Sequence, residues 1–260
     1  MKRIAVVITA RPSYSRIRSA LFALKARPDV DLKIIAAASL ILDRYGNTVK
    51  EIQADGFEIA SSVYMVLEGE NPLTSAKTTG IGLIELASVI DRLKPDAVVT
   101  IADRYETIAT AIATAYLNIP LVHIQGGEVT GNIDEKVRHA VTKLADFHLV
   151  ASEGARARVI AMGEESRRVY VTGCPSIDLA AEAIKMPGLP NLTGGVGADV
   201  DLSAGYIIVL QHPETTSTLD GREQITPTLE AIDSLGLPTL WFWPNVDAGS
   251  DGVSKGIRAY

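Results

Sequence analysis

The acidic residues best placed for chemistry in this 260-residue chain come after apolar runs. The stretch HIQGGEVTGNIDEKVRHAVTKLADFH, residues 123–148, carries Glu128 and Asp134 close to its glycines, and the shorter DRYE places Asp103 and Arg104 after the preceding run. Carboxylates held at the end of a strand are candidates for general acid–base catalysis. An acid in this position can also cap the next helix, so a structural role is the alternative for one of them.

The first apolar run is followed by TARPSYSR, in which Arg11 and Ser15 lie where a helix is predicted to begin. Free backbone N–H groups and the helix dipole at such a position favour a phosphate or another anion. The alternative is a helix cap with a surface charge. The sequence has no GxGxxG pattern after this run, so an ordinary dinucleotide site is not indicated.

Towards the end of the chain, HPETT places His212 after another apolar run, and PNVDAGS places Asn245, Asp247 and Ser250 after the next one. A histidine in this position suits proton transfer or the neutralisation of charge on a leaving group. A capping histidine and a polar turn are the alternative.

Two further histidines, His123 and His148, lie inside or at the start of apolar runs and are predicted to be hydrogen-bonded structural residues. The histidine spacing does not match a set of metal ligands, and the single cysteine, Cys174, excludes a disulfide framework. We therefore expect neither a metal ion nor a cofactor.

Alternating strands and helices must position these residues. Short apolar runs rich in β-branched residues predict strands at residues 3–9, 31–39, 96–102, 120–125, 147–152 and 168–173. Amphipathic stretches predict helices at residues 15–26, 80–94, 104–117, 134–145 and 154–162. This alternation indicates an α/β fold with Rossmann-like parallel sheets covered on both faces, in which ligands bind at the carboxyl ends of the strands.

The predicted helix at residues 134–145 holds three residues of interest. Asp134 is a candidate for its N-cap as well as for catalysis. Arg138 and His139 are neighbours on it, and we expect one of them to face the cleft and the other to pair with an acid.

The order of the elements predicts two domains, residues 1–185 and 205–260, joined by a Pro- and Gly-rich linker at residues 186–204. The second segment holds too few elements to cover both faces of a parallel sheet. We therefore expect it to be the first part of a longer, C-terminally truncated domain.

The composition excludes several classes of protein. With 47% hydrophobic and 22% charged residues, the chain is too apolar to be disordered. The net charge of −6 argues against nucleic acid and anionic membrane surfaces as partners. No apolar run reaches the ~18 residues of a membrane span, and the beginning of the chain lacks the features of a secretory signal. A cytoplasmic protein is expected.

The motifs quoted above, together with DRYGNT, DRYETIA, TGCPSID and LQHPETT, occur in an order that resembles the hydrolysing UDP-N-acetylglucosamine 2-epimerases. These include the enzymes of bacterial sialic-acid biosynthesis. The resemblance covers the whole 260 residues. It implies two Rossmann-like domains arranged in the glycosyltransferase-B manner, a nucleotide-sugar substrate, and N-acetylmannosamine and UDP as products.

The resemblance also implies roles for single residues. In the family's chemistry the C2 proton of the sugar is removed, UDP leaves from C1, and water then adds with inversion at C2. Proton transfer falls to Asp103 and Asp134, Glu128 is a reserve candidate, and His212 matches a histidine near the diphosphate. The matching ligand-binding positions are Arg11, Ser15, Arg104 and Asn245.

The chain departs from the family pattern in three places. Many members carry a glutamate where this chain has Gln125, which cannot act as a base; we retain Gln125 as a substrate-binding residue. Leu40 occupies a position where relatives often have a histidine, which we expect to alter the sugar end of the pocket. The later segment that holds uridine and phosphate is absent because the chain ends at Tyr260, so we expect weak UDP binding.

The resemblance leaves two alternatives. The first is an epimerase or hydrolase for a related nucleotide sugar, either GDP-linked or a diacetamido-trideoxy sugar. The second is a non-catalytic nucleotide-sugar-binding fragment. In its complete form the protein is expected to be a homodimer, as family members commonly are.

Overall fold

The computed structural model describes residues 1–101, 103–185, 196–197, 201–203 and 205–260. The chain divides into two compact units, the first made of Met1–Glu68 and Leu73–Ala183 and the second of Gly69–Pro72 and Ile184–Tyr260. Most of the predicted linker, residues 186–204, lies outside the described residues. No sequence pattern marks the short segment Gly69–Pro72 as part of the second unit.

Strands and helices alternate along the first unit. Its strands are β1 (Lys2–Ile8), β2 (Val30–Ala37), β3 (Ile59–Val63), β4 (Ala97–Ile101), β5 (Leu121–Ile124), β6 (Phe147–Val150) and β7 (Val169–Val171). Its helices are α1 (Arg11–Lys25), α2 (Thr48–Ala54), α3 (Pro72–Leu93), α4 (Thr107–Tyr116), α5 (Ile133–Leu144), α6 (Glu153–Ala161) and α7 (Pro175–Ala183).

The strands of the first unit form one seven-stranded sheet in the order β3-β2-β1-β4-β5-β6-β7. All neighbouring strands in it are parallel. Strand β1 pairs with β2 on one side and β4 on the other, so the direction in which the chain crosses the sheet reverses between β1 and β4. Such a switch point leaves a crevice at the carboxyl ends of the strands, where ligands bind in open α/β sheets.

The sheet is apolar on both faces because the side chains of each central strand alternate between two cores. In β1, Ala5 and Val7 pack in a cluster with residues of α3, α4 and α5. Val6 and Ile8 pack in the other cluster, with residues of α1 and α2. Since full burial of a large aliphatic side chain contributes about 1.5–3 kcal/mol, these layers fix the sheet and leave its carboxyl edge to polar residues.

The structure adds elements that the sequence analysis did not predict. Strand β3, with the sequence IASSV, lies at the sheet edge, where half-buried and exposed positions alternate up to the buried Val63. It therefore lacks the continuous apolar run of a central strand. Helix α2 is short, at seven residues. Helix α3 begins at Pro72 and not at the predicted Gly80. The prediction missed its first turns because they are mostly polar and exposed.

The second unit has a two-stranded parallel sheet of β8 (Ile207–Leu210) and β9 (Thr239–Phe242). Helices α8 (Gly221–Asp233) and α9 (Ser250–Ala259) supply a small core whose buried members are Ile225, Leu229 and Val253, against which Trp241 of β9 packs. Asp220 and Glu223 form a capping box at the start of α8. The alternate side chains of β8, Ile208 and Leu210, are 58% and 57% exposed.

None of the helices in the described part of the chain combines the length and apolar character needed to cross a membrane.

Candidate functional site

The carboxyl edge of the seven-stranded sheet brings together residues that are distant in sequence. Ile101, the last residue of β4, is in register with Ile124, the last residue of β5. Asp103 and Gln125 therefore follow the ends of adjacent parallel strands, and Arg11 follows β1 on the other side of β4. This is the edge at which the fold offers a ligand crevice.

Asp103 is held by two arginines. Its Oδ2 accepts a hydrogen bond from Nη2 of Arg138, and its Oδ1 lies 4.0 Å from Nη1 of Arg16. Arg138 is 2% exposed. Burial, together with the nearby charge of Arg16, lowers the pKa of Arg138 to about 10, which still leaves its guanidinium charged at neutral pH. Arg138 therefore places a fixed positive charge beside Asp103, the predicted catalytic carboxylate.

Arg138 also holds the loop between β5 and α5. Its Nη1 donates a hydrogen bond of 2.7 Å to the backbone oxygen of Glu128, and its Nη2 lies 3.4 Å from Oγ1 of Thr130. One buried side chain thus connects the end of β4 with the loop that carries Glu128. The sequence left open whether Arg138 or His139 faces the cleft; Arg138 is the one that binds Asp103, and Nε2 of His139 lies 3.8 Å from Glu135.

Glu135, in the first turn of α5, fixes the same loop from the helix side. Its Oε2 accepts hydrogen bonds from the backbone N–H groups of Thr130 and Gly131, at 2.7 and 2.6 Å. These two bonds, led by the one from Gly131, hold the pKa of Glu135 below its usual value. On the other side, Nη1 of Arg158 in α6 donates to the backbone oxygen of Gly127 at 2.5 Å.

The N-cap of α5 differs from the predicted one. Asn132 caps the helix, because its side-chain oxygen accepts from the backbone N–H of Asp134 at 3.0 Å. Asp134 lies in the first helical turn and is half-buried. Because the capping role belongs to Asn132, the carboxylate of Asp134 is not needed for it. Asparagine is among the residues preferred at a helix N-cap, so the position of Asn132 agrees with local sequence preference.

Arg104 and Glu106 form a buried ion pair, with 2.9 Å between Nε of Arg104 and Oε1 of Glu106. Glu106 is 1% exposed, and its second carboxylate oxygen has no hydrogen-bond partner among the residues that the structure describes. Glu106 also precedes α4 but makes no side-chain cap bond. Arg104, expected to be a ligand-binding residue, follows Asp103 in the chain and has this buried acid as a partner.

Arg11 and Ser15 both belong to the beginning of α1 and are exposed. The first turn of α1 contains no acidic residue, and its N-cap, Ala10, makes no side-chain cap bond. The hydroxyl of Ser15 donates to the backbone oxygen of Arg11 at 3.3 Å. This arrangement is compatible with an anion at the helix N-terminus.

Leu40, which stands where relatives often have a histidine, is fully buried in the core between the sheet and α1. Its expected effect on the sugar end of the pocket stays a prediction. Its backbone N–H donates to the oxygen of Thr9 at 3.2 Å, which holds the segment against the end of β1. An apolar side chain at this position packs into the core because both neighbouring layers are apolar.

His123 and His148 are fully buried and hydrogen-bonded, as expected of structural histidines. Nδ1 of His123 lies 3.1 Å from the hydroxyl of Thr142, and Nε2 of His148 lies 3.2 Å from Oε2 of Glu164. Burial lowers the pKa of His148. Within the described ranges, no group of three or more His, Cys, Asp or Glu side chains is arranged to hold a metal ion.

Gln125 has an unusual backbone and an unexpected partner. Its φ of 65° lies in the left-handed region, which is uncommon for a residue other than glycine. Its side-chain nitrogen donates to the sulfur of Cys174 at 3.0 Å. Cys174 directly precedes α7 and was not among the predicted site residues. Its position after β7, in TGCPSID, is the signal that marks it as a strand-end residue.

In the second unit, the predicted residues His212, Asn245 and Asp247 lie together. The backbone N–H of Asn245 donates to Nδ1 of His212 at 3.2 Å, and Oδ2 of Asp247 lies 4.0 Å from the same nitrogen. Ser250 is buried and donates to Oε2 of Glu70 at 2.7 Å. Because Nδ1 of His212 accepts a hydrogen bond, a neutral ring carries its proton on Nε2.

Comparisons with known proteins find similar sequences and similar structures. A family model described as UDP-N-acetylglucosamine 2-epimerase matches residues 22–260. A UDP-N,N'-diacetylbacillosamine 2-epimerase (hydrolyzing) of Legionella pneumophila is 32% identical over 260 residues, which is all of this chain and 68% of that protein. A UDP-N-acetylglucosamine 2-epimerase of Neisseria meningitidis serogroup B is 28% identical over 260 residues, or 67% of that protein. The chain thus spans about two thirds of the length of these relatives.

Among solved structures, the UDP-GlcNAc 2-epimerase of Methanocaldococcus jannaschii in complex with UDP-GlcNAc and UDP matches with a TM-score of 0.77 at 17% identity. The match covers 98% of this chain and 69% of that one. At this identity the likeness shows the fold. It confirms the predicted α/β class, with Rossmann-like parallel sheets of the glycosyltransferase-B type.

The role of Glu135 is tested by Glu135→Gln. A neutral amide accepts hydrogen bonds less strongly than a carboxylate, so we expect the hydrogen-exchange protection of the Thr130 and Gly131 amides to fall about tenfold at neutral pH. In the wild type the carboxylate is ionised and this protection is complete above its ordinary pKa of 4.5, and is lost as the pH falls through the lowered value. Glu165→Gln is the control, because Glu165 is exposed and pairs with Arg167 and Arg168. Unchanged protection in Glu135→Gln would contradict the assignment.

The packing of the loop backbone against α6 is tested by substitutions at two glycines that share a backbone conformation. Gly127 and Gly131 have φ values of 79° and 78°, but a Cβ on Gly127 would lie 2.5 Å from the backbone oxygen of Ala155, whereas one on Gly131 would meet nothing within 4 Å. We expect Gly131→Ala to lower the free energy of unfolding by about 1 kcal/mol and Gly127→Ala by about 2–4 kcal/mol, measured by urea denaturation. Equal losses would show that the loop does not press against α6.

Proposed function

Because this chain belongs to the UDP-N-acetylglucosamine 2-epimerase family, we propose that it acts in the hydrolysing epimerisation of UDP-N-acetylglucosamine to N-acetylmannosamine and UDP. The single observation that carries the proposal is the carboxylate of Asp103, held at the crevice of the sheet by the buried Arg138. The same arginine binds the loop with Glu128. A carboxylate so fixed suits repeated proton transfer at one carbon atom.

The proposed reaction has two stages. In the first, a base takes the proton from C2 of the sugar while the bond between C1 and the diphosphate oxygen breaks, so UDP leaves and a C1=C2 double bond forms. In the second, the oxygen of water adds to C1 and a proton adds to the opposite face of C2. We assign the proton transfers to Asp103 and Asp134, with Glu128 as the third carboxylate near this loop.

The leaving diphosphate needs stabilisation of its negative charge. In the first unit we assign this to the N-terminus of α1 with Arg11 and Ser15, where no acidic residue of the first turn opposes an anion. Arg104 is retained as a ligand-binding residue on its position beside Asp103. In the second unit we assign charge neutralisation to His212, whose Nε2 is a donor in the neutral ring, with Asn245 as its neighbour.

A second candidate substrate is a diacetamido-trideoxy sugar linked to UDP. It is favoured by the Legionella pneumophila relative, whose name gives UDP-N,N'-diacetylbacillosamine as its substrate. Both sugars carry an acetamido group at C2, so the same carboxylates serve either one. A GDP-linked sugar and binding without turnover are the remaining alternatives.

The function is tested by incubating the purified chain with UDP-N-acetylglucosamine in deuterated water. Release of UDP with N-acetylmannosamine that carries deuterium at C2 is the expected result, because the proton that returns to C2 comes from solvent. Parallel incubations with UDP- and GDP-linked diacetamido sugars identify the preferred substrate. Binding of the nucleotide sugar without UDP release would replace the enzyme proposal by the binding alternative.

The two aspartates are tested by Asp103→Asn and Asp134→Asn. Each change removes a base at nearly constant size, so we expect kcat to fall by about 10²–10⁴. Asp103→Asn also leaves Arg138 buried without a carboxylate partner, which we expect to lower the free energy of unfolding by about 3 kcal/mol. Asp91→Asn, at an exposed position on α3, is the control. Turnover is compared under conditions in which urea denaturation shows that every variant is folded. Near-normal turnover in both aspartate variants would refute the assignment.

A further inference from the structure

Gln125 is a buried polar residue held in a strained conformation at the carboxyl edge of the sheet. It follows β5, is 8% exposed, and has a φ of 65°. Its backbone N–H donates to the oxygen of Leu149 in β6 at 2.9 Å, which prevents relaxation of the strand end. A non-glycine residue in this region costs about 1–3 kcal/mol, and such strain is commonly found where a side chain must point in a defined direction.

Only one end of the Gln125 carboxamide is satisfied. Its Nε2 donates to Sγ of Cys174 at 3.0 Å. In the part of the chain that the structure describes, Oε1 of Gln125 accepts no hydrogen bond. Among the described residues, Oε1 is not one of the fully enclosed side-chain atoms that lack a partner, so it is open to an N–H or O–H group of a ligand.

Cys174 is suited to hold the amide nitrogen. It is half-buried in front of α7. Although burial raises the pKa of its thiol, hydrogen bonds from Ser176, Ile177 and Gln125 bring the pKa below its usual value overall. A sulfur that accepts hydrogen bonds attracts the amide nitrogen and turns the carbonyl oxygen away from itself. In this arrangement the amide nitrogen of Gln125 faces the cysteine and the carbonyl oxygen faces away from it.

We propose that Cys174 is a positioning residue, which orients Gln125 so that the Gln125 carbonyl oxygen accepts a hydrogen bond from a hydroxyl or acetamido N–H group of the substrate sugar. The nature of the ligand rests on the proposed function. Gln125 thus selects the sugar by hydrogen bonding and does not act as a base, because its side chain is an amide. A site built around such an acceptor discriminates against sugars that lack the donor, because the acceptor is then left unpaired.

Four variants separate this role from a general structural one. Cys174→Ala removes the acceptor for the amide, and Cys174→Ser restores a smaller one. Gln125→Met removes the carboxamide at similar length. Ser152→Ala is the matched control, because Ser152 also makes a side-chain hydrogen bond near a helix start, to the backbone N–H of Ala155 at 3.2 Å, without contacting Gln125.

The first measurement needs no substrate. In the full chain labelled with ¹⁵N in glutamine side chains, the resonance pair lost in Gln125→Met identifies the Gln125 amide. We expect Cys174→Ala to shift this pair and to speed its exchange with solvent about three- to tenfold, with a smaller effect in Cys174→Ser and none in Ser152→Ala. Unchanged Gln125 amide signals in folded Cys174→Ala would overturn the positioning role.

The second measurement compares two ligands by calorimetric titration. UDP-N-acetylglucosamine carries the sugar and UDP does not, so we expect Cys174→Ala and Gln125→Met to weaken binding of the first about three- to tenfold and to leave UDP binding unchanged. Equal losses for both ligands, or no loss for either, would overturn the proposed contact with the sugar. If neither ligand binds the wild type, the proposed function fails, while the amide resonances still decide whether Cys174 positions Gln125.

Discussion

The candidate site depends on one buried positive charge. Arg138 is almost completely removed from solvent, and a buried guanidinium is stable only when acceptors surround it. Asp103 supplies the compensating charge, and the backbone oxygen of Glu128 and the hydroxyl of Thr130 supply further acceptors. Removal of any one of these partners leaves a desolvated donor, so the end of β4 and the loop after β5 are energetically coupled. A carboxylate held in this way is suited to keep its position through the proposed reaction, in which protons are removed and returned.

The loop after β5 is fixed from three sides. Arg138 reaches it from the interior, Glu135 from the first turn of α5, and Arg158 from α6. Its backbone supplies most of the groups that they bind, and Gly127 allows the close approach to α6 that a side chain would prevent. The density of polar residues in this stretch is therefore explained by two requirements: carboxylates for the proposed proton transfers, and a hydrogen-bond network that keeps an irregular loop rigid.

The edge of the sheet combines this rigid carboxylate site with the proposed acceptor site at Gln125. The apolar cores on both faces allow little adjustment of the strands, so the positions just after β4, β5 and β7 are set by the sheet itself. Asp103 and Gln125 follow adjacent strands, and Cys174 reaches Gln125 from the start of α7. Proton transfer and recognition of the sugar are thus assigned to different residues of one edge.

The sequence by itself determined the class of fold and the edge on which the site lies. Apolar runs such as residues 3–9 and 96–102 predict buried parallel strands, because a strand that is buried on both faces has apolar residues at consecutive positions. Polar residues that follow these runs must then lie together at the carboxyl edge of the sheet. Strand β3 escaped prediction because an edge strand is half-exposed and needs no such run. The N-cap of α5 was expected at Asp134, but Asn132 caps the helix; the sequence did not separate them because both are favourable cap residues.

Only the tertiary structure decided which residues meet. Arg138 binds Asp103 across 35 positions of sequence, and Gln125 binds Cys174 across 49. Neither pairing follows a helical or strand period, because each joins the ends of different strands and helices. They depend on the order β1-β4-β5-β6-β7 in the sheet and on the direction in which each loop leaves it. Local sequence specifies the elements, whereas the burial of apolar surface on the whole sheet brings these ends within hydrogen-bond distance.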